Sequence, residues 1–241
     1  MTNSAKSTAC FAGLGLAAVG VITYFLWHRY AANVRTQHEE THAIPAPFSE
    51  HTAHHLERQY SHEGVGPYFY RSYSATIKNA QQSPAALMEH IKNNLNDYAP
   101  SELAVFEKIG GSKDFNTGDL YDIHIAGPWN GPVLVLENGA TEFVLATRKG
   151  HLEAGEIRFS LATVPAMDPT PERLCFKIES WSRSKDSAVD LAYDKLKVAQ
   201  IAQTSMWIVF CRNVVQYSGG ELIEEINVHT QKTTENASPY L

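Results

Sequence analysis

Apolar and polar residues change their period along this chain, and each change marks an element. Thr8 to Trp27 is apolar throughout and carries no charge. At 1.5 Å per residue such a run matches a hydrocarbon core ~30 Å thick. It predicts a membrane-spanning helix over residues 8–27, within an anchor over 1–28. Lys6 precedes the run, Arg29 and Arg35 follow it, and Tyr24, Trp27 and Tyr30 would sit at one headgroup level. A cleavable signal peptide is the rival reading, disfavoured by the length of the run and by the lack of a small-x-small site after it. Residues 29–66 show no sustained period, contain Pro45 and Pro47, and read as a linker with a short helix over 53–60.

From residue 67 the pattern is regular. Residues 68–77 are aromatic-rich and β-prone. Ser83 and Pro84 suit the cap and first turn of a helix, Leu87, Ile91, Leu95 and Tyr98 recur at helical spacing, and Pro100 ends it. Six strand-like runs follow, over 103–109, 119–126, 132–137, 141–148, 155–164 and 173–183, with Gly, Pro and Asn-Gly signals between them. Asn138-Gly139 is a two-residue hairpin signal. Residues 187–217 lack Gly and Pro and predict one long helix, whose face runs through Leu196, Ala199, Gln203, Met206, Phe210 and Val214. Gly219-Gly220 stops it. Residues 221–241 read as a tail with room for one short strand. Strand, helix, six strands and a long helix are accommodated by an α+β helix-grip arrangement over 67–220, an antiparallel sheet curled around a long C-terminal helix. Such a sheet commonly leaves an apolar cavity under its helix, and cavities of that kind are small-molecule sites.

Composition narrows the function classes. The chain has 241 residues, 44% hydrophobic and 19% charged, with a net charge of −6. No Lys/Arg stripe exists to neutralise phosphates, which argues against nucleic-acid binding. Cys10, Cys175 and Cys211 are too few and too scattered for a disulfide framework or a zinc site. The absence of a disulfide pattern tips the globular part toward the cytoplasmic side of the expected membrane. His51 and His55 stand four apart, but no ligand set completes a metal shell around them, and they read as solvated histidines. Gly64-Val65-Gly66-Pro67 is not a phosphate loop, because no helix with a Lys follows it. No motif calls for a cofactor.

One segment concentrates the chemistry. Gly150-His151-Leu152-Glu153-Ala154-Gly155-Glu156-Ile157-Arg158-Phe159 precedes a second run, Glu179-Ser180-Trp181-Ser182-Arg183. Together with the helix around Met206-Trp207, they resemble the family described as domain of unknown function 1990. The resemblance spans roughly residues 70–225. It implies a START-like fold, of the Bet v 1-like kind, and no defined activity. The turn Gly127-Pro128-Trp129-Asn130-Gly131-Pro132-Val133 and the stop Ser218-Gly219-Gly220 agree with it.

Alternation sorts the faces of the two strands. Ile157, Phe159 and Leu161, like Leu174, Phe176 and Ile178, should face the helix. Glu156, Arg158, Lys177 and Glu179 should then form charge pairs on the outer face. His151 and Glu153 lie in the preceding turn, where His151 is a candidate acid or base oriented by Glu153, or part of a local turn network. Trp129, Trp181 and Trp207 are candidates for a cavity mouth or for ordinary packing. Gln203 interrupts the apolar stripe, so if buried it needs a polar partner, which a ligand could supply. Met206 lies on the same face. The leading expectation is a single-pass, membrane-anchored domain binding an apolar or amphipathic small molecule, a lipid included. The alternatives are a cyclase- or dehydratase-like enzyme using His151 and Glu153, and an anchored interaction module with a solid core.

Overall fold

The computed structural model describes residues 34–41, 44–47, 58–125, 129–165, 172–187 and 198–233. The regular alternation beyond residue 64 becomes sheet: β2 (Val65–Lys78), β3 (Ala104–Lys108), β4 (Leu120–Ile125), β5 (Trp129–Asn138), β6 (Glu142–Thr147), β7 (Glu153–Val164) and β8 (Arg173–Ser184). Between β2 and β3 lie α1 (Pro84–Asn93) and α2 (Leu95–Tyr98). The α1 start follows its sequence signal, since the Ser83 side chain accepts from the Ala86 N–H at 3.3 Å and Pro84 opens the first turn. After β8 comes α3 (Val198–Tyr217), then β9 (Glu221–Leu222) and β10 (Ile226–Thr233).

The strands make one large curled sheet in the order β1-β10-β2-β8-β7-β6-β5-β4-β3, where β1 is Val34–Glu40. Every neighbouring pair in that order is antiparallel except β1 with β10. Segments read as linker and tail thus meet at the sheet edge, with Val34 opposite Ile226 and Glu40 opposite Lys232. Only Val34 in β1 is apolar, and the strand is exposed along nearly its whole length, so no period-two apolar pattern could announce it. The β5–β6 hairpin forms, but Gly139 N–H donates to the Glu142 carbonyl. Ala140 and Thr141, not Asn138 and Gly139, occupy its tip, and the register shifts between Val135 and Glu137.

The helix α3 packs against the inner face of the sheet. Phe143 and Phe159 stack at 4.5 Å between ring centres, and Phe210 and Trp207 of α3 each reach Phe159 at 5.5 Å. Phe210 also meets Tyr98 of α2, which closes that end of the core. Cys175 and Cys211 are both free thiols.

The membrane address expected from residues 8–27 is corrected here. That segment lies outside the described residues, as do residues 53–57 and the histidines His51 and His55. Among the described residues no helix is long and apolar enough to cross a membrane. The longest of them, α3, spends its apolar residues on the sheet.

Candidate functional site

Three neighbouring strands carry polar residues in the phase that elsewhere points apolar side chains at α3. In β2, Arg71 is in phase with Tyr73, Ala75 and Ile77. In β8, Ser180, Ser182 and Ser184 are in phase with Phe176 and Ile178. In β7, Glu153 is in phase with Ile157 and Phe159. Register brings them together, because Arg71 lies opposite Ser180 and Glu153 opposite Ser184. The result is a polar end to an otherwise apolar interior. Arg71 Nη1 lies 3.4 Å from Glu153 Oε1 and 3.3 Å from Ser182 Oγ. From α3, Gln203 Nε2 donates to Glu153 Oε2 at 2.9 Å. Arg71 and Glu153 are 5% and 8% exposed, so both charges are withdrawn from water and depend on one another.

Two polar atoms at this group, Gln203 Oε1 and the Tyr73 hydroxyl, are buried without a partner among the described residues, as is Trp207 Nε1 one turn further along α3. Tyr73 is fully enclosed, with Arg71, Thr204 and Glu153 around its hydroxyl, and burial raises its pKa. The Thr204 side chain lies beside that hydroxyl, but not in hydrogen-bonding geometry. Buried groups of this kind are rare in folded proteins, because each forfeits its water without compensation.

His151 enters this arrangement through the backbone. His151 Nδ1 lies 2.9 Å from the Glu153 nitrogen and 3.0 Å from the Glu153 carbonyl oxygen, so it accepts from the N–H when the ring proton is on Nε2 and donates to the carbonyl when the proton is on Nδ1. Nε2 faces Gly131, where a Cβ would come within 3.0 Å of it. The Glu153 carboxylate turns instead to Arg71 and Gln203, so Glu153 orients His151 by its main chain and not by its acid group. The turn is clamped from outside: Gln59 Nε2 donates to the carbonyls of His151, at 3.2 Å, and Glu153, at 2.9 Å. Gln59 N–H donates to the Thr147 carbonyl, and Thr147 Oγ1 donates back to the Gln59 carbonyl at 3.1 Å. Thr147 Oγ1 also accepts from Gly155 N–H at 2.9 Å.

Burial lowers the His151 pKa below its ordinary value of 6.5. A histidine held neutral in the fold costs stability once the unfolded chain can take up a proton that the folded chain refuses. Its contribution is complete above about 6.5 and is lost as pH falls from there toward the depressed value. Denaturant titrations of the wild type and His151→Gln at stepped pH should therefore diverge in that window, with the variant less sensitive to acid. Parallel curves would show that the ring is not held neutral.

The other expected site residues fall in different places. Met206 is partly buried against the main core, and Trp207 is 5% exposed with its ring edge-on to Phe159. Trp129 begins β5 opposite Ile125, and its backbone alone is described. Trp181 does not join the group. It lies on the outer face beside Tyr70, with ring centres 5.3 Å apart, and its Nε1 donates to the Pro45 carbonyl at 2.8 Å. The outer-face charges pair there as well. Glu179 meets Lys177 at 2.6 Å and Arg158 at 3.7 Å. Glu156 pairs with the buried Arg58 at 2.8 Å. Sequence reasoning missed Arg71, Ser182 and Tyr73, although a charge in the apolar phase of β2 was a readable signal.

Comparison with curated proteins finds no match. Among solved structures, the chain is similar to norcoclaurine synthase from Thalictrum flavum in complex with dopamine and hydroxybenzaldehyde. That match has 12% identity and a TM-score of 0.42, over 64% of this chain and 90% of that one. It is similar to a hypothetical protein from Helicobacter pylori at 10% identity and a TM-score of 0.39, over 61% and 86%. It is also similar to the di-domain ARO/CYC StfQ from the steffimycin biosynthetic pathway, at 9% identity and a TM-score of 0.44, over 66% of this chain and 52% of StfQ. A family profile matches residues 61–208, from the turn before β2 into α3. The chain belongs to the family described as domain of unknown function (DUF1990).

Proposed function

We propose that this domain binds a small apolar or amphipathic molecule, a lipid included, between α3 and the sheet. Its polar part would lie at the Arg71–Glu153–Gln203 group and its apolar part against Trp207 and Phe159. One observation carries the reading: buried Gln203 Oε1 and the Tyr73 hydroxyl, beside a charge pair that register has placed inside the sheet, have no partner among the described residues, and neither has Trp207 Nε1 one turn further along α3. Polar atoms left without water or protein partners are those a ligand would satisfy. An acid–base enzyme built on His151 and Glu153 finds less support, because the carboxylate is turned away from the imidazole.

Nile red, an uncharged environment-sensitive dye, tests this directly. Saturable binding with blue-shifted emission is the expected result. Met206→Trp fills volume on the ligand-facing side of α3 and should weaken that binding, at a stability cost of ~1–3 kcal/mol. Absence of saturable binding to the wild type would replace this reading with that of a solid-cored interaction module.

A further inference from the structure

We infer that the molecule taken at this site carries an uncharged hydrogen-bonding head, a carbonyl or hydroxyl on an apolar body, and not a carboxylate or an ammonium group. The inference rests on the binding reading above and narrows it to a chemical class. The Arg71 and Glu153 side chains, 6% and 11% exposed, face one another at 3.4 Å, and among the described residues no further ion pair reaches either of them. The site is therefore charge-neutral before a ligand arrives, and the neighbouring His151 ring adds no charge, since burial holds it in its neutral form.

A ligand carboxylate docking on Arg71 would meet Glu153 at a similar distance. Attraction to one and repulsion from the other would largely cancel, leaving the loss of the carboxylate's hydration uncompensated. An ammonium group faces the mirror image of the same problem. An uncharged head gives up much less hydration. The unmatched atoms suit it: the Trp207 indole N–H and the Tyr73 hydroxyl can donate to a carbonyl oxygen, and Gln203 Oε1 can accept from a hydroxyl. Phe159 and Phe210 flank the Trp207 ring and offer the apolar body a surface.

The test is displacement of Nile red from the full chain near neutral pH by four molecules with one alkyl chain: decanol, decanamide, decanoate and decylamine. Decanol and decanamide should compete roughly ten-fold or more better than the two charged members. Glu153→Gln leaves Arg71 unbalanced and should turn the preference toward decanoate. Arg71→Gln should turn it toward decylamine, which keeps the test open if one variant fails to fold. A wild type that prefers decanoate or decylamine overturns this inference while leaving small-molecule binding in place. Failure of all four to displace bound Nile red refutes this head-group inference while dye binding stands. Failure of the dye itself to bind removes the underlying reading and this inference with it.

Discussion

Gly155→Ala is expected to prevent stable folding, at a cost of about 4 kcal/mol or more, placing it among the rare severe substitutions with an identifiable steric cause. A Cβ at residue 155 would stand 1.9 Å from the Trp181 carbonyl oxygen and 2.9 Å from Ser182 Cα. Both obstacles are main chain in the paired strand β8, so no side chain can swing aside. Gly155 is pinned from the other side by its N–H bond to Thr147 Oγ1. Relief would require β7 and β8 to part where Gly155 faces Ser182, the residue that also contacts Arg71. Chemical denaturation and soluble yield measure the effect. Gly139→Ala is the control, since its nearest obstacle is the flexible Glu142 side chain at 3.2 Å, and it should stay close to wild type. A Gly155→Ala protein within about 1 kcal/mol of wild type would mean that β7 and β8 part at this point at little cost.

Phe159→Ala should cost about 3–5 kcal/mol, the range for removing a large aromatic side chain from a packed core. Phe159 is fully buried and is where the sheet aromatics meet the helix aromatics, touching Phe143, Trp207 and Phe210. Its loss opens space that the rigid β6–β8 framework cannot close, so both the transfer of the ring to water and the residual cavity contribute. The shift in denaturant midpoint at constant slope reads this out. Val105→Ala, at an exposed position of β3, should change stability by no more than about 0.5 kcal/mol. A Phe159→Ala cost as small as that would show that the helix rests loosely on the sheet.

Strands such as β2, β3 and β4 were readable because alternation between a buried and a more exposed face is written into their own residues, whereas β6, buried on both faces, reads as a continuous apolar run. Phe159 and Phe176 were assigned to the helix side by alternation, and they lie there. The assignment of Glu156 to the outer face follows the same rule, but its partner Arg58 comes from 98 residues earlier in the chain. No local pattern connects the two. β1 and β10 were read as parts of a linker and a tail for a related reason. β1 is the edge strand and β10 lies next to it, and apart from Ile226 and Val228, which reach the core, most of their side chains are polar.

The candidate site divides in the same way. His151, Glu153, Gln203 and Trp207 stood out because each breaks a local pattern or carries distinctive chemistry. Trp181 stood out as well, yet it is claimed by the Pro45 carbonyl on the opposite face. What the chain determined by itself is which residues share a face, since the side-chain period of a strand or helix is a property of its own backbone. What only the tertiary structure decided is which faces meet and in what register. Arg71, Ser182 and Glu153 lie far apart in sequence, and strand pairing alone sets them at the same end of the sheet beneath Gln203. The charge pair, its burial and its unmatched neighbours are products of that long-range register.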